Sequence, residues 1–131
     1  MKEKLFLLLT GLGFAGVGVV NLILPKLGIA LFEIELSSAS ALSEIRANYG
    51  GMHALFGMFL IIGAFKIHVQ RIALLIVAVF TGGLVLGRLT SLLMDGSPNA
   101  GIWLLLSAEA VLCLAASVLY VSHPVRVGIN D

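Results

Sequence analysis

Charge is what this sequence has least of. Lys, Arg, Asp and Glu make up 11% of its 131 residues, against about 25% in an ordinary soluble domain. That is too little to coat a water-facing surface. With 60% hydrophobic residues and a mean hydropathy of +1.11, the chain must take lipid as its main solvent. Eight basic and seven acidic residues almost cancel, for a net charge of +1, so no basic face exists to hold nucleic acid. Cys113 is the one cysteine; it permits no intrachain disulfide and, inside an apolar run, reads as a small packing residue. No G-x-S-x-G, H-E-x-x-H or C-x-x-C motif is present, which leaves an enzyme the least supported class. His53 has no second His or Cys at ligand spacing on its side of the bilayer, whereas His68 and His123 belong to the opposite side. A metal site and a haem held by paired histidines are therefore not expected, and no cofactor is implied.

What is present is four apolar runs. They cover about residues 5–24, 46–65, 72–93 and 101–121, each long enough to cross a hydrocarbon core of ~30 Å as a helix. Helices close their own backbone hydrogen bonds and so tolerate lipid. The first run follows Lys2 and Lys4 as a signal peptide would, but it is too long and lacks a small-residue cleavage site. It ends at Pro25-Lys26, the second at Lys66, the third at Asp95-Gly96-Ser97-Pro98 and the fourth at His123-Pro124. The second helix is expected to begin earlier than its apolar run, with Ser40 as N-cap. Short second and third connections make neighbours antiparallel, so the expected fold is an all-α, integral membrane, up-down four-helix bundle occupying residues 1–131 as one domain.

An even number of crossings puts both termini on one side. That side carries Lys2, Lys4, Lys66, Arg71 and Arg126, the other Lys26 and Arg46; the excess predicts cytoplasmic termini. Trp103 and Tyr49 then fall at the outer interface and Tyr120 at the inner one. The long first connection, residues 25–40, contains Leu31-Phe32-Glu33-Ile34-Glu35-Leu36. Its alternation suits either a connector lying on the surface or a lid over the bundle.

Gly11-Leu12-Gly13-Phe14-Ala15-Gly16 matches G-x-G-x-x-G, but no strand precedes it, and a dinucleotide site needs one. Small residues in membrane helices let backbones approach closely. Gly83 and Gly87 on the third span, Gly50, Gly51, Gly57 and Gly63 on the second, and Ala108, Ala115 and Ala116 on the fourth are expected to pack helices together, within the bundle or between subunits.

The polar residues inside the apolar runs need partners, because an ionisable group at the centre of a bilayer costs at least ~2.5–3.5 kcal/mol. At ~1.5 Å per residue, Asn21 and Arg88 lie ~24 Å above the inner end of their spans, and His53 and Glu109 ~10 Å below the outer end. All four fall in the outer half. Arg46, Tyr49, His53 and Gly57 are spaced as one helix face, and Glu44 precedes them. Asn21, Glu44, Arg46, Tyr49, His53, Arg88 and Glu109 are therefore the candidate ligand-binding residues of a polar-floored pocket. In it Arg88 and Arg46 donate to an anion or carbonyl, Glu109 and Glu44 balance charge, and Tyr49 and His53 line the wall. No residue is assigned a catalytic or metal-binding role. The bland alternative is an Arg88–Glu109 ion pair that only fixes helix register.

The run Glu44-Ile45-Arg46-Ala47-Asn48-Tyr49-Gly50-Gly51, then Gly87-Arg88, Asp95-Gly96 and Glu109, resembles an uncharacterised family of small bacterial four-span membrane proteins. That family is catalogued as a domain of unknown function, DUF4345, and is distantly similar to DoxX-like four-helix membrane proteins. The resemblance covers nearly the whole chain. It implies the fold and the membrane location, marks Glu44, Arg46, Tyr49, Gly50, Gly51, Arg88, Asp95 and Glu109 as the family's polar positions, and implies no activity. The expected function is a small inner-membrane binding or accessory protein for a membrane lipid, a quinone-like molecule or another amphipathic ligand. The alternatives are a small proton-coupled transporter, or a structural subunit of a homo-oligomer or larger membrane complex.

Overall fold

The computed structural model describes residues 1–122; His123, Pro124 and Arg126 lie outside the described residues. Four helices are long and apolar enough to span a bilayer. The first, α1 (Lys2–Ile23), ends two residues before Pro25, whose ring cannot continue it. A one-turn helix, α2 (Pro25–Gly28), and a 3-10 turn (Ala30–Phe32) follow. The second span is built from three segments in one unbroken rod: α3 (Ala39–Ile45), a π-helical turn (Arg46–Gly51) and α4 (Met52–Phe65). Its N-cap is Ser38, not Ser40: the Ser38 hydroxyl accepts from the Ala41 amide at 3.1 Å. Lys66 alone separates α4 from α5 (Ile67–Met94), and the turn through Gly96, with φ of 94°, leads to α6 (Ala100–Ser122). Each helix starts before the apolar stretch that defines it, by one residue in α6 and by seven in the second span, because polar turns remain helical beyond the apolar run.

The chain runs up and down. Lys4 near the start of α1 lies over the Phe65 ring at the end of α4, and Arg71 near the start of α5 lies over the Tyr120 ring at the end of α6. At the other end Arg46 reaches the last turn of α1. α1 packs chiefly on α4, and α5 on α6, with α4 against α5 joining the two pairs.

Lipid supplies no hydrophobic drive between helices, so close backbone approach has to hold them. The α1–α4 seam shows where it does. A Cβ at Gly57 would meet the Gly11 carbonyl at 2.5 Å and crowd the Ala15 backbone, and one at Gly18 would lie 2.6 Å from Ala54 Cα. Gly63 plays the same part against Ala73, where a Cβ would come within 2.7 Å. Within the bundle the Gly83–Gly87 pair packs against nothing: both are exposed and would meet nothing within 4 Å, as is also true of Gly13 and Gly16. The G-x-G-x-x-G run is thus continuous helix with one glycine in the seam and two facing outward. Below the seam Leu7, Leu60, Ala64, Ala73, Leu74, Val77 and Ala116 form the apolar core.

The long first connection folds as a cover over the end of the bundle opposite the N-terminus. Ile29 is fully buried beneath it. Asn99, between α5 and α6, donates to the Leu31 carbonyl at 3.0 Å and to the Glu33 carboxylate at 3.0 Å. Glu33 takes a left-handed conformation (φ 56°) that turns the chain back towards α3.

Candidate functional site

Arg88 on α5 and Glu109 on α6 meet side by side. Arg88 Nε donates to Glu109 Oε2 at 2.6 Å and Nη2 to Oε1 at 2.7 Å, a two-pronged pair. The side chains are 20% and 11% exposed, so the charges sit well inside the bundle without being sealed. The geometry follows from the helices: the two residues stand at the same depth on antiparallel neighbours joined by a short turn. A guanidinium carries five N–H donors. The pair uses two, so three have no hydrogen-bond partner among the described residues.

Those donors lie under an aromatic wall. The Phe32 ring of the cover sits 6.0 Å from the guanidinium carbon, and the Tyr49 ring is 5.5 Å from Phe32. Tyr49 stacks on His53 at 5.6 Å with their planes 19° apart. His53 then touches Phe14 of α1 and Phe80 of α5 at 5.7 and 5.8 Å, and both reach Phe56. His53 Nδ1 lies 2.8 Å from the Asn48 carbonyl. A carbonyl only accepts, so Nδ1 carries the proton, and in the neutral ring Nε2 keeps its lone pair.

Four of the seven candidate residues therefore join one continuous group: Arg88, Glu109, Tyr49 and His53, with Phe32 as the link. Three stand apart. Arg46 is exposed and donates through Nε to the Leu22 carbonyl at 3.1 Å. Glu44 is exposed and accepts from Asn48 Nδ2 at 3.0 Å. Asn21 is buried and donates to the Val17 carbonyl at 2.9 Å. Its Oδ1 has no partner among the described residues, and a Cβ on Gly28 would collide with its amide, so Asn21 seats the α2 turn.

The π-helical turn explains why Arg46 leaves the expected face. Residues three and seven apart share a face only while the helix keeps 3.6 residues per turn. The wider turn at Arg46–Gly51 advances the register, so Tyr49 and His53 face the cover while Arg46 faces α1. Phe32, Phe14, Phe80 and Asn99 were not among the candidate residues. Phe32 lay in the alternating first connection and Phe14 in the G-x-G-x-x-G run, whereas Phe80 and Asn99 lay in no pattern of their own. Thr10 and Gln70 are also buried polar residues, outside this cluster.

No metal-binding group of three or more His, Cys, Asp or Glu side chains forms among the described residues. The arrangement suits hydrogen bonding: an acceptor brought to the free guanidinium edge would lie against aromatic rings, with charge already balanced by Glu109.

Fold and site together define a multi-pass membrane protein, a four-helix bundle with an ion pair inside one half and an aromatic cover above it. The model of the domain of unknown function DUF4345 matches residues 3–120, and the chain belongs to that family. No curated protein and no solved structure matches the chain.

Proposed function

We propose that this is a small binding or accessory protein of the bacterial inner membrane, with cytoplasmic termini, distantly akin to DoxX-like proteins. Its outer half would hold an amphipathic ligand such as a lipid head group or a quinone-like ring. The observation that carries this reading is the Arg88 guanidinium, held in two prongs by Glu109 with three donors still free, beside the Phe32 ring that Tyr49 abuts. A residue that only fixed register would gain from having all its donors satisfied. Polar and ionisable groups kept inside membrane helices mark ligand paths by default. Because Glu109 neutralises Arg88, an uncharged carbonyl or hydroxyl acceptor suits the site better than a second anion, which would leave uncompensated negative charge in a low-dielectric region. Pairing also weighs against proton-coupled exchange, which needs a carboxylate free to load and release. Orientation rests on Lys2, Lys4, Lys66 and Arg71 outnumbering Lys26 and Arg46.

Native mass spectrometry from mild detergent tests the binding reading. The expected result is an amphipathic molecule retained by the wild type and lost from an Arg88→Met, Glu109→Leu variant with unchanged helicity. If both release the same empty protein, the binding reading fails.

A further inference from the structure

A second polar space lies at the outer end, away from the Arg88–Glu109 pair. Lys26, Ile34, Glu35, Leu36 and Ser37 line an open cavity of about 330 Å³. Lys26 follows the last turn of α1 by three residues and Ser37 precedes the Ser38 cap of α3, so the cavity sits where the helices leave the hydrocarbon, at head-group level. Its wall carries one cation and one carboxylate. The two form no salt bridge with each other, and neither has a hydrogen-bond or ion-pair partner among the described residues. Glu35 differs in this from Glu33, two residues earlier, which is tied to Asn99.

We infer that this cavity binds the head group of a zwitterionic aminophospholipid, one bearing a phosphate and a primary ammonium. Opposite charges held apart on one wall match a ligand that carries both. Lys26 meets the phosphate, Glu35 accepts from the ammonium, and the Ser37 hydroxyl donates to a phosphate oxygen. Ile34 and Leu36 face the apolar start of the acyl chains. At about 330 Å³ the open space has room for a head group of this kind. A purely anionic head group satisfies Lys26 but is repelled by Glu35. A choline head group places methyls where Glu35 needs N–H donors. The inference stands apart from the Arg88 reading, since no residue is shared.

The test is lipid competition on the full chain in nanodiscs, reading the lipids retained by native mass spectrometry. Discs contain equal phosphatidylethanolamine, phosphatidylcholine and phosphatidylglycerol. An exposed charge contact contributes about 0.2–1 kcal/mol, so the expected preference for phosphatidylethanolamine over phosphatidylcholine is about 1.4- to fivefold. Glu35→Gln should abolish that preference, and Lys26→Gln should weaken retention of all three lipids. Both side chains are exposed, so neither change threatens the fold, and circular dichroism verifies this. Equal retention of the three lipids, a preference for phosphatidylglycerol, or an ethanolamine preference that survives Glu35→Gln would each overturn the assignment.

Discussion

An arginine alone in hydrocarbon and an arginine held by a carboxylate are different objects. Removing one member of a buried pair strands the other, at roughly 3–5 kcal/mol, whereas replacing both with apolar residues of similar volume is often neutral. Arg88 and Glu109 are partly rather than fully buried, so the lower end of that range applies. Arg88→Ala is expected to destabilise the bundle by about 3 kcal/mol in denaturant titration. The double change Arg88→Met with Glu109→Leu should return to within about 1 kcal/mol of wild type. Equal losses in the single and double variants would show that the two residues do not act as a pair. The pair could be anticipated from the sequence because both residues fall at a computable depth on adjacent spans. Its aromatic wall could not, because Phe32 reaches Arg88 only through the fold of the first connection, which no local pattern specifies.

At the scale of the helix, what could be read and what could not separate cleanly. The ends of the spans are written in residues that act locally: Pro25, Lys66 and the Asp95-Gly96-Ser97-Pro98 turn. The π-helical turn at Arg46–Gly51 has no such marker, and it rotates Arg46 off the face shared by Tyr49 and His53. Glycine spacing is silent on partners for a related reason. A small-xxx-small pair says that close approach is possible, not which neighbour comes close. Gly83 and Gly87 have the spacing and face outward, while Gly57 sits against the α1 backbone. Gly57→Ala should therefore destabilise by about 1–3 kcal/mol, the range for overpacking a filled interface. Gly83→Ala should be neutral or stabilising by up to about 1 kcal/mol, since alanine is the better helix former. Thermal unfolding of the two variants side by side checks this. A loss at Gly83 matching that at Gly57 would mean that another surface closes on that face of α5.

Over the whole molecule, Asn99 is where chain segments most distant in sequence are fastened together. Its side chain does two jobs with opposite ends. Oδ1 caps α6 by accepting from the Ile102 amide at 3.0 Å, and Nδ2 holds the cover through Leu31 and Glu33. Asn99→Asp separates them. An aspartate caps a helix as well as an asparagine, so α6 keeps its start. The donors to the cover vanish, and a carboxylate now faces Glu33. Two hydrogen bonds at about 0.5–1.5 kcal/mol each, joined by like-charge repulsion, make the cover's closed state at least about fivefold, and up to about 150-fold, less favourable. The Phe32 amide, bonded to the Ile29 carbonyl at 2.9 Å, is the reporter, and its hydrogen exchange should quicken by about that factor while amides in the middle of α6 stay unchanged. Because Phe32 lies over Arg88, a ligand held beneath it should also dissociate faster. Faster exchange with unchanged ligand retention would detach the cover from binding, and unchanged exchange at Phe32 would show that the cover is held by Ile29 packing rather than by Asn99.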